Sequence, residues 1–417
     1  MTNVVYDLSP VTADPAHRAG LARVTLRTAQ LLAADPAVSV RFSSVGSVHS
    51  LVWSAKVLAG WSGAVPALPP ARLAARVVGW EAALGRSGGR AAKIGRAAIR
   101  AGLSAWNQVR TPVPAVDLKW AEVFHSSYAR VPSAVRRHRH LGVVVTVHDL
   151  TPLVAPAGLF PPHQLGVTRR IIASVRPTDW VIAVSHATRA DFLAHTGHPP
   201  DRCTVVHWAA DPAQFHPCPD PARVAEVRTR YRVPAGRYVL SLSSLAPHKN
   251  AAHLARCVAR VAERPGCGDV SLVLAGGQGE RSREWLADLG PAAGRVHFAG
   301  YVAEPDLAPL YTGATAFAFP SIYEGFGLPV LEAMQCGTAV VASASSSLPE
   351  VVGDAGLLAP PADEAAWVEA LTRLLTDDAR RAQLSAAGRE RAAAFTWGRV
   401  LQETKAVYAR ATGADRG

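Results

Sequence analysis

Between Pro320 and Gly337 the chain reads PSIYEGFGLPVLEAMQCG, which sets Glu324 and Glu332 eight residues apart with Gly325, Gly327 and Pro329 between them. The run ATAFAFP before it reads as a buried strand. Ser321 to Gly327 then reads as a loop whose glycines let backbone approach a ligand closely. Pro329 suits the first turn of a helix, which Leu331 to Gln335 continue and Gly337 stops. Glu324 is thereby expected on the loop and Glu332 in the first helical turn, both facing the crevice at the end of the sheet. Amides from Gly325 to Val330 would point outward at the helix N-terminus, which suits phosphate. A carboxylate accepts hydrogen bonds from vicinal hydroxyls, so acids on either side of a phosphate site point to sugar on both sides. Ribose, diphosphate and hexose follow one another in that order in a sugar nucleotide. Two acids at this spacing are, by themselves, no more than solvated surface charges; the strand, the glycines and the proline around them carry the reading.

Other residues could serve the same chemistry. Lys249 follows a strand and precedes Asn250, a reasonable helix cap. From there an ammonium can reach a diphosphate and neutralise the charge of a leaving group; its plainer reading is a surface lysine. His148 ends a strand and on its own reads as a structural hydrogen-bonder. Gly20, in the RAGLAR turn that opens the first long helix, is either a simple turn or a point where backbone meets a ligand. No Asp-x-Asp pair stands at a strand end, and with a lysine and a helix N-terminus available no divalent ion is expected on the phosphates. GGQGE at 276–280 has the wrong spacing for a dinucleotide fingerprint.

These residues must be positioned by α/β elements. Short β-rich runs alternate with longer helical patterns, the signature of parallel α/β architecture. The strand candidates are Val4–Asp7, Val143–Val147, Trp180–Val184, Tyr238–Ser243, Ser271–Ala275, Arg295–Phe298, Ala314–Phe319 and Ala339–Ala342. Helical patterns fall at Leu21–Ala33, Ala187–His195, Ala251–Ala262 and Glu364–Leu375, and FTWGRVLQETKAVYARA (395–411) reads as a last helix. The proline-rich HWAADPAQFHPCPDPARV (207–224) reads as a hinge between two Rossmann-like lobes, with the boundary near residue 215. In such sheets ligands gather where strands end and helices begin.

Composition narrows the class. The 417 residues are 49% hydrophobic, which excludes a disordered chain. Residues 1 to 30 lack a basic-then-apolar leader, and no uncharged apolar run is long enough to span a membrane. Five scattered cysteines without a CxxC pair argue against a disulfide framework or a zinc site and for a reducing cytoplasm. The net charge of +12 is concentrated: Leu51 to His140 hold 14 basic and 3 acidic residues, leaving +1 for the rest. Within that region Lys93, Arg96 and Arg100 make one helical stripe, with Ile94, Ile99, Leu103 and Trp106 on other faces. Such a stripe suits an anionic membrane surface or an acidic acceptor, or is a solvated helix. No nucleic-acid motif accompanies it.

PSIYEGFGLPVLEAMQCGTAVVASASSSLPEVVGDAGLLAPP resembles the donor-site segment of glycosyltransferase family 4, retaining enzymes of the GT-B fold. The likeness extends to YDLSP and GLARVTLRTAQLL near the start, VTVHDLTPL (145–153), AVSHATRADFL (183–193), PHKN (247–250), LVLAGGQGE (272–280) and HFAGYVAEPDLAPLY (297–311). Residues 45 to 115, which hold most of the basic excess, match poorly. The resemblance implies two Rossmann-like doubly wound domains facing across a cleft: residues 1–215 for the acceptor and 216–395 for the sugar nucleotide. The final helix, 396–417, would cross back to the first.

It further implies that Glu332 holds the ribose hydroxyls and Glu324 those of the transferred sugar. Amides of Gly325, Phe326, Gly327 and Leu328 would hold that sugar and the β-phosphate, with Gly20 approaching the diphosphate. Lys249 would meet the phosphates. The family's usual arginine five residues earlier is Ser244 here, and His248 stands where relatives often carry arginine, so one cation must come from elsewhere. His148 would touch the donor sugar near its reacting carbon as an orienting, charge-stabilising group, and the peptide at Tyr301 and Val302 would hold the base. Tyr301 reads equally as a core aromatic. Transfer would proceed on the leaving-group face, the departing phosphate taking the acceptor proton.

The expectation is a cytoplasmic, metal-independent retaining hexosyltransferase, peripheral at the inner membrane face through residues 86–110. It would use a nucleoside-diphosphate sugar, GDP-mannose ahead of a UDP-sugar, and a hydroxyl acceptor on a glycan, glycolipid or small glycoside. The alternatives are a sugar-nucleotide epimerase on the same fold, which would need acids in the first lobe, and a non-catalytic sugar-binding subunit.

Overall fold

The computed structural model describes residues 1–9, 20–45, 115–156, 158–242, 245–276 and 286–413, with scattered positions between 54 and 113. Ser244, Lys93, Arg96, Arg100 and most of GGQGE lie outside the described residues.

Among the described residues twelve strands form two six-stranded sheets. The first holds β1 (Thr2–Asp7), β2 (Val38–Ser43), β3 (Val123–Ser126), β4 (Gly142–Val147), β5 (Trp180–Ala183) and β6 (Cys203–Val205), in the order β2-β1-β3-β4-β5-β6. The second holds β7 (Tyr238–Leu242), β8 (Ser271–Ala275), β9 (Val296–Gly300), β10 (Ala316–Phe319), β11 (Val340–Ser343) and β12 (Leu357–Ala359), in the order β12-β11-β10-β7-β8-β9. All pairings are parallel. Runs such as GVVVTV and AFAF are continuously apolar because helices cover both faces of a parallel sheet. Amphipathic helices supply that cover: Ala251–Ala262 buries Leu254, Val258 and Val261 at helical spacing.

The order explains where a ligand would sit. In the second sheet the strand order reverses between the parallel neighbours β7 and β10, with β8 and β9 added on one side and β11 and β12 on the other, which makes a switch-point crevice at their carboxyl ends. The loops after β7 and β10 carry Lys249 and Glu324.

Strands β2, β3, β6 and β12 have no counterpart in the sequence reading. β6 and β12 run three residues, and β3 runs four with His125 and Ser126 among them, so their apolar patterns are too short to register; β2 is an edge strand whose apolar residues are interrupted by Ser39, Arg41 and Ser43. Glu332 is the fifth residue of the Leu328–Gln335 helix and so stands one turn further in than expected. Asn250 starts the Ala251–Ala262 helix without a side-chain cap: it sits in left-handed backbone (φ 57°), and its amide donates to the Pro361 carbonyl instead.

The Trp397–Thr412 helix returns to the first sheet and packs on β3, β4 and β5. Tyr408 reaches His125 Nδ1 at 2.7 Å, Lys405 pairs with Asp35 at 2.7 Å, and Arg410 meets Thr204 at 3.0 Å. The crossing is close enough that a Cβ on Gly142 would lie 2.6 Å from the Ala411 carbonyl oxygen. All five cysteines are free. Among the described residues no helix is long and apolar enough to cross a membrane.

Candidate active site

The helix Leu328–Gln335 begins abruptly because Gly327 holds φ 110°, a conformation glycine adopts without strain, and any Cβ there would meet Leu348 at 2.7 Å. The turn leaves four consecutive amides, those of Gly325, Phe326, Gly327 and Leu328, without a protein acceptor among the described residues. Amides at a helix start carry partial positive charge and want an anion or water. The loop itself is pinned: Ser346 accepts from the Glu324 amide at 2.9 Å, and Ser347 donates to the carbonyls of Glu324 and Phe326 at 3.0 and 2.8 Å.

A pocket opens on each side of these amides. One, of about 340 Å³, is lined by Tyr128, Asp149, Phe160, His248, Lys249 and Glu324 among others. Here Lys249 Nζ and Ser321 Oγ both reach Glu324 Oε1 at 2.5 Å, and the Lys249 ammonium stands 5.6 Å from the Phe319 ring centre. His248 stacks on Phe160 at 4.6 Å and is held neutral, its pKa lowered to about 4 by burial and by the Lys249 charge. Asp149 is raised above the ordinary carboxyl range, first by burial and then by the Glu324 charge.

The second pocket, of about 200 Å³, is lined by Arg23, Arg27, Gln30, Phe215, Glu304 and Glu332 among others. Glu332 is 1% exposed and accepts from Arg23 of the first lobe and from the Tyr311 hydroxyl, the latter at 2.9 Å. Arg23 was not singled out from sequence. Its helix shows only that Ala22, Val24, Thr25, Thr28, Ala29 and Leu32 face inward, and Arg23 on the margin of that face finds its partner 309 residues away.

The lobes touch between the pockets. A Cβ on Gly325 would lie 1.9 Å from the His148 carbonyl oxygen, and one on Gly20 would lie 2.8 Å from Leu328 Cδ1. Thr188 Oγ1 donates to the Gly325 carbonyl at 3.1 Å. The Phe326 side chain is buried behind the loop against Trp208 and Phe395, so only its backbone can face a ligand.

His148 borders neither pocket. It lies beside Gly325, edge-on to Tyr128 and tilted against Trp208, and lines a separate cavity of about 20 Å³ with Tyr6, His125 and Thr146. Its Nε2 lies 3.2 Å from the Ser127 carbonyl, which only accepts, so Nε2 carries the proton and Nδ1 is a buried lone pair without a partner. Burial lowers its pKa to about 3. Near neutral pH the ring is therefore uncharged, with one nitrogen donating and the other free to accept. Tyr301 is 51% exposed, which rules out the core-aromatic reading; Val302 is buried, and neither lines the second pocket, which the chain reaches at Glu304.

Three comparisons bear on this site. Residues 236–377 match the family model described as Glycosyl transferases group 1, and residues 80–214 the one described as Glycosyltransferase Family 4. The O-antigen chain mannosyltransferase B of Escherichia coli is 32% identical over 279 residues, covering 66% of this chain and 72% of that protein. The MMP alpha-(1->4)-mannosyltransferase of Mycolicibacterium hassiacum is 32% identical over 287 residues, covering 68% of this chain and 65% of that one. Among solved structures, Anabaena HepE in complex with UDP-glucose superposes with a TM-score of 0.64 at 16% identity, over 98% of this chain and all of that one. That likeness establishes the two-lobed GT-B architecture.

Proposed function

The chain belongs to glycosyltransferase family 4, and on that premise we propose that it transfers a hexose, with retention, from a nucleoside-diphosphate sugar to a hydroxyl acceptor. The observation that carries the donor class is the run of four unpartnered amides, Gly325 to Leu328, between two pockets, one holding Glu324 and the other Glu332. Diphosphate would lie on the amides, ribose against Glu332 and hexose against Glu324. HepE's complex with UDP-glucose and the two mannosyltransferase names support a sugar nucleotide, with GDP-mannose the first donor to test and UDP-glucose the second.

Both carboxylates already hold cations, Lys249 and Arg23. Donor binding would exchange these ion pairs for sugar hydroxyls, freeing Lys249 to turn toward the β-phosphate and Arg23 toward the diphosphate or base. Arg23 would thus supply the cation absent at Ser244. As the acceptor oxygen bonds to the anomeric carbon, the bond to the diphosphate breaks and the acceptor proton passes to the departing phosphate oxygen. Lys249 and the amides stabilise the charge that develops there. His148 backs the Gly325 turn through its main-chain carbonyl and so positions the loop that would meet the hexose. The acceptor would bind the first lobe, whose basic excess favours an anionic glycan or glycolipid at the cytoplasmic face of a membrane.

Nucleotide release measured over a donor panel tests this. Wild type should turn over one donor, and Glu324→Ala should lower kcat about 100-fold by releasing the hexose from its reacting position. Equal turnover in both proteins would remove Glu324 from the mechanism.

A further inference from the structure

On the far side of the Phe326 packing, His186, His207 and Glu350 each bring one ligand atom to within 4.8 Å of the others. His186 opens the His186–Thr196 helix after β5, His207 follows β6, and Glu350 stands in the Leu348–Val352 helix of the second lobe. The set is therefore drawn from both lobes. His207 Nε2 meets Glu350 Oε2 at 3.0 Å, and the His186 and His207 rings are 5.4 Å apart between centroids.

Two of the three groups are already held in place. The amides of His186 and Ala187 donate to the Glu350 carboxylate at 2.9 and 3.1 Å, and the Arg391 guanidinium donates to the Glu350 carbonyl at 2.5 Å. His207 packs between Phe326 and Phe395. His186 is exposed and free to turn about its side-chain bonds.

Two imidazoles and a carboxylate make a recurrent zinc ligand set, with bonds of about 2.0–2.2 Å and hence ligand atoms roughly 3.3 Å apart in a tetrahedron. The His207–Glu350 pair is close to that separation, and the exposed His186 already brings a ring nitrogen within 4.8 Å of both. Imidazole selects zinc, copper or nickel over the oxygen-seeking magnesium and calcium. We propose that His186, His207 and Glu350 bind Zn²⁺, with a water in the fourth position, and that the ion ties the two lobes together. The metal replaces the hydrogen bond between His207 and Glu350, while the two amides remain on the carboxylate and orient it. This site is separate from the diphosphate site, and it concerns binding and lobe contact whatever donor the enzyme takes.

Titration of the metal-stripped full chain with Zn²⁺ against a chromophoric chelator measures affinity. Co²⁺ in its place reports four-coordinate geometry by its visible absorption. The expected result is one ion per chain, a higher thermal midpoint with Zn²⁺, and affinity about 100-fold weaker in His186→Ala and in Glu350→Gln. His186→Ala changes an exposed side chain, and Glu350→Gln keeps an oxygen for one of the two amides, so circular dichroism should find both folded. Unchanged affinity in both variants, or no Zn²⁺ bound by the wild type at micromolar metal, overturns the site.

Discussion

At the scale of single residues, Gly325 is the most constrained position in the cleft. Its missing side chain lets the donor-site loop lie against the backbone of His148, with no space for a Cβ. The atom in the way is a main-chain oxygen, which cannot swing aside as Leu328 could for Gly20. Gly325→Ala should therefore hold the loop and the first lobe apart by about an ångström, a misplacement that costs about 100-fold in kcat. Steady-state kinetics would show it, and wild-type turnover in Gly325→Ala would mean that this lobe contact is not the working one. The glycine's importance was legible from its place between a strand and a proline. The residue it touches was not, because no local pattern links position 325 to position 148.

At the scale of elements, the last helix acts as a strap on the first sheet. It is held to β3 through Tyr408, whose hydroxyl satisfies one nitrogen of buried His125, while Thr146 satisfies the other at 2.7 Å. His125 cannot ionise to compensate for a lost partner, since burial lowers its pKa to about 3. Tyr408→Phe keeps the ring packing and removes only the hydroxyl, leaving a buried polar nitrogen unpaired at a cost of about 1–3 kcal/mol. Denaturant unfolding should show that loss. No loss of stability would mean that another group takes up the nitrogen. The existence of this helix was readable from its 3.6-residue periodicity; its target sheet was read only from resemblance.

At the scale of the whole molecule, buried histidines should make the fold acid-sensitive. His125 and His148 have pKa values lowered to about 3 and His248 to about 4, against an ordinary value of 6.5. Between these limits the unfolded chain binds protons that the folded one refuses, so stability falls as pH falls through that window. Asp7, raised by burial to about 7, and Asp149, also raised, take up protons on folding and offset part of the effect. Glu350 and Asp306, whose carboxyls are lowered overall by their hydrogen-bonded partners despite burial, add to it at the acid end. The thermal midpoint should drop steadily from about pH 6.5 to about pH 4.5; a midpoint that rises on acidification would contradict this protonation pattern.

The sequence alone determined the class of the molecule. The strand, glycine and proline run around Glu324 and Glu332 is local information, written within eighteen residues, and local chemistry can be read from order. The alternation of buried strands with amphipathic helices is local too, and it implied two parallel α/β lobes. What only the tertiary structure decided are the pairings that cross between lobes: Arg23 on Glu332, Gly325 on His148, Glu350 on His186 and His207. Lys249 and Glu324 meet for a related reason, since β7 and β10 become neighbours only when the sheet order reverses. Such contacts join residues tens to hundreds of positions apart through the arrangement of sheets and the packing between lobes, and side-chain burial follows from that arrangement.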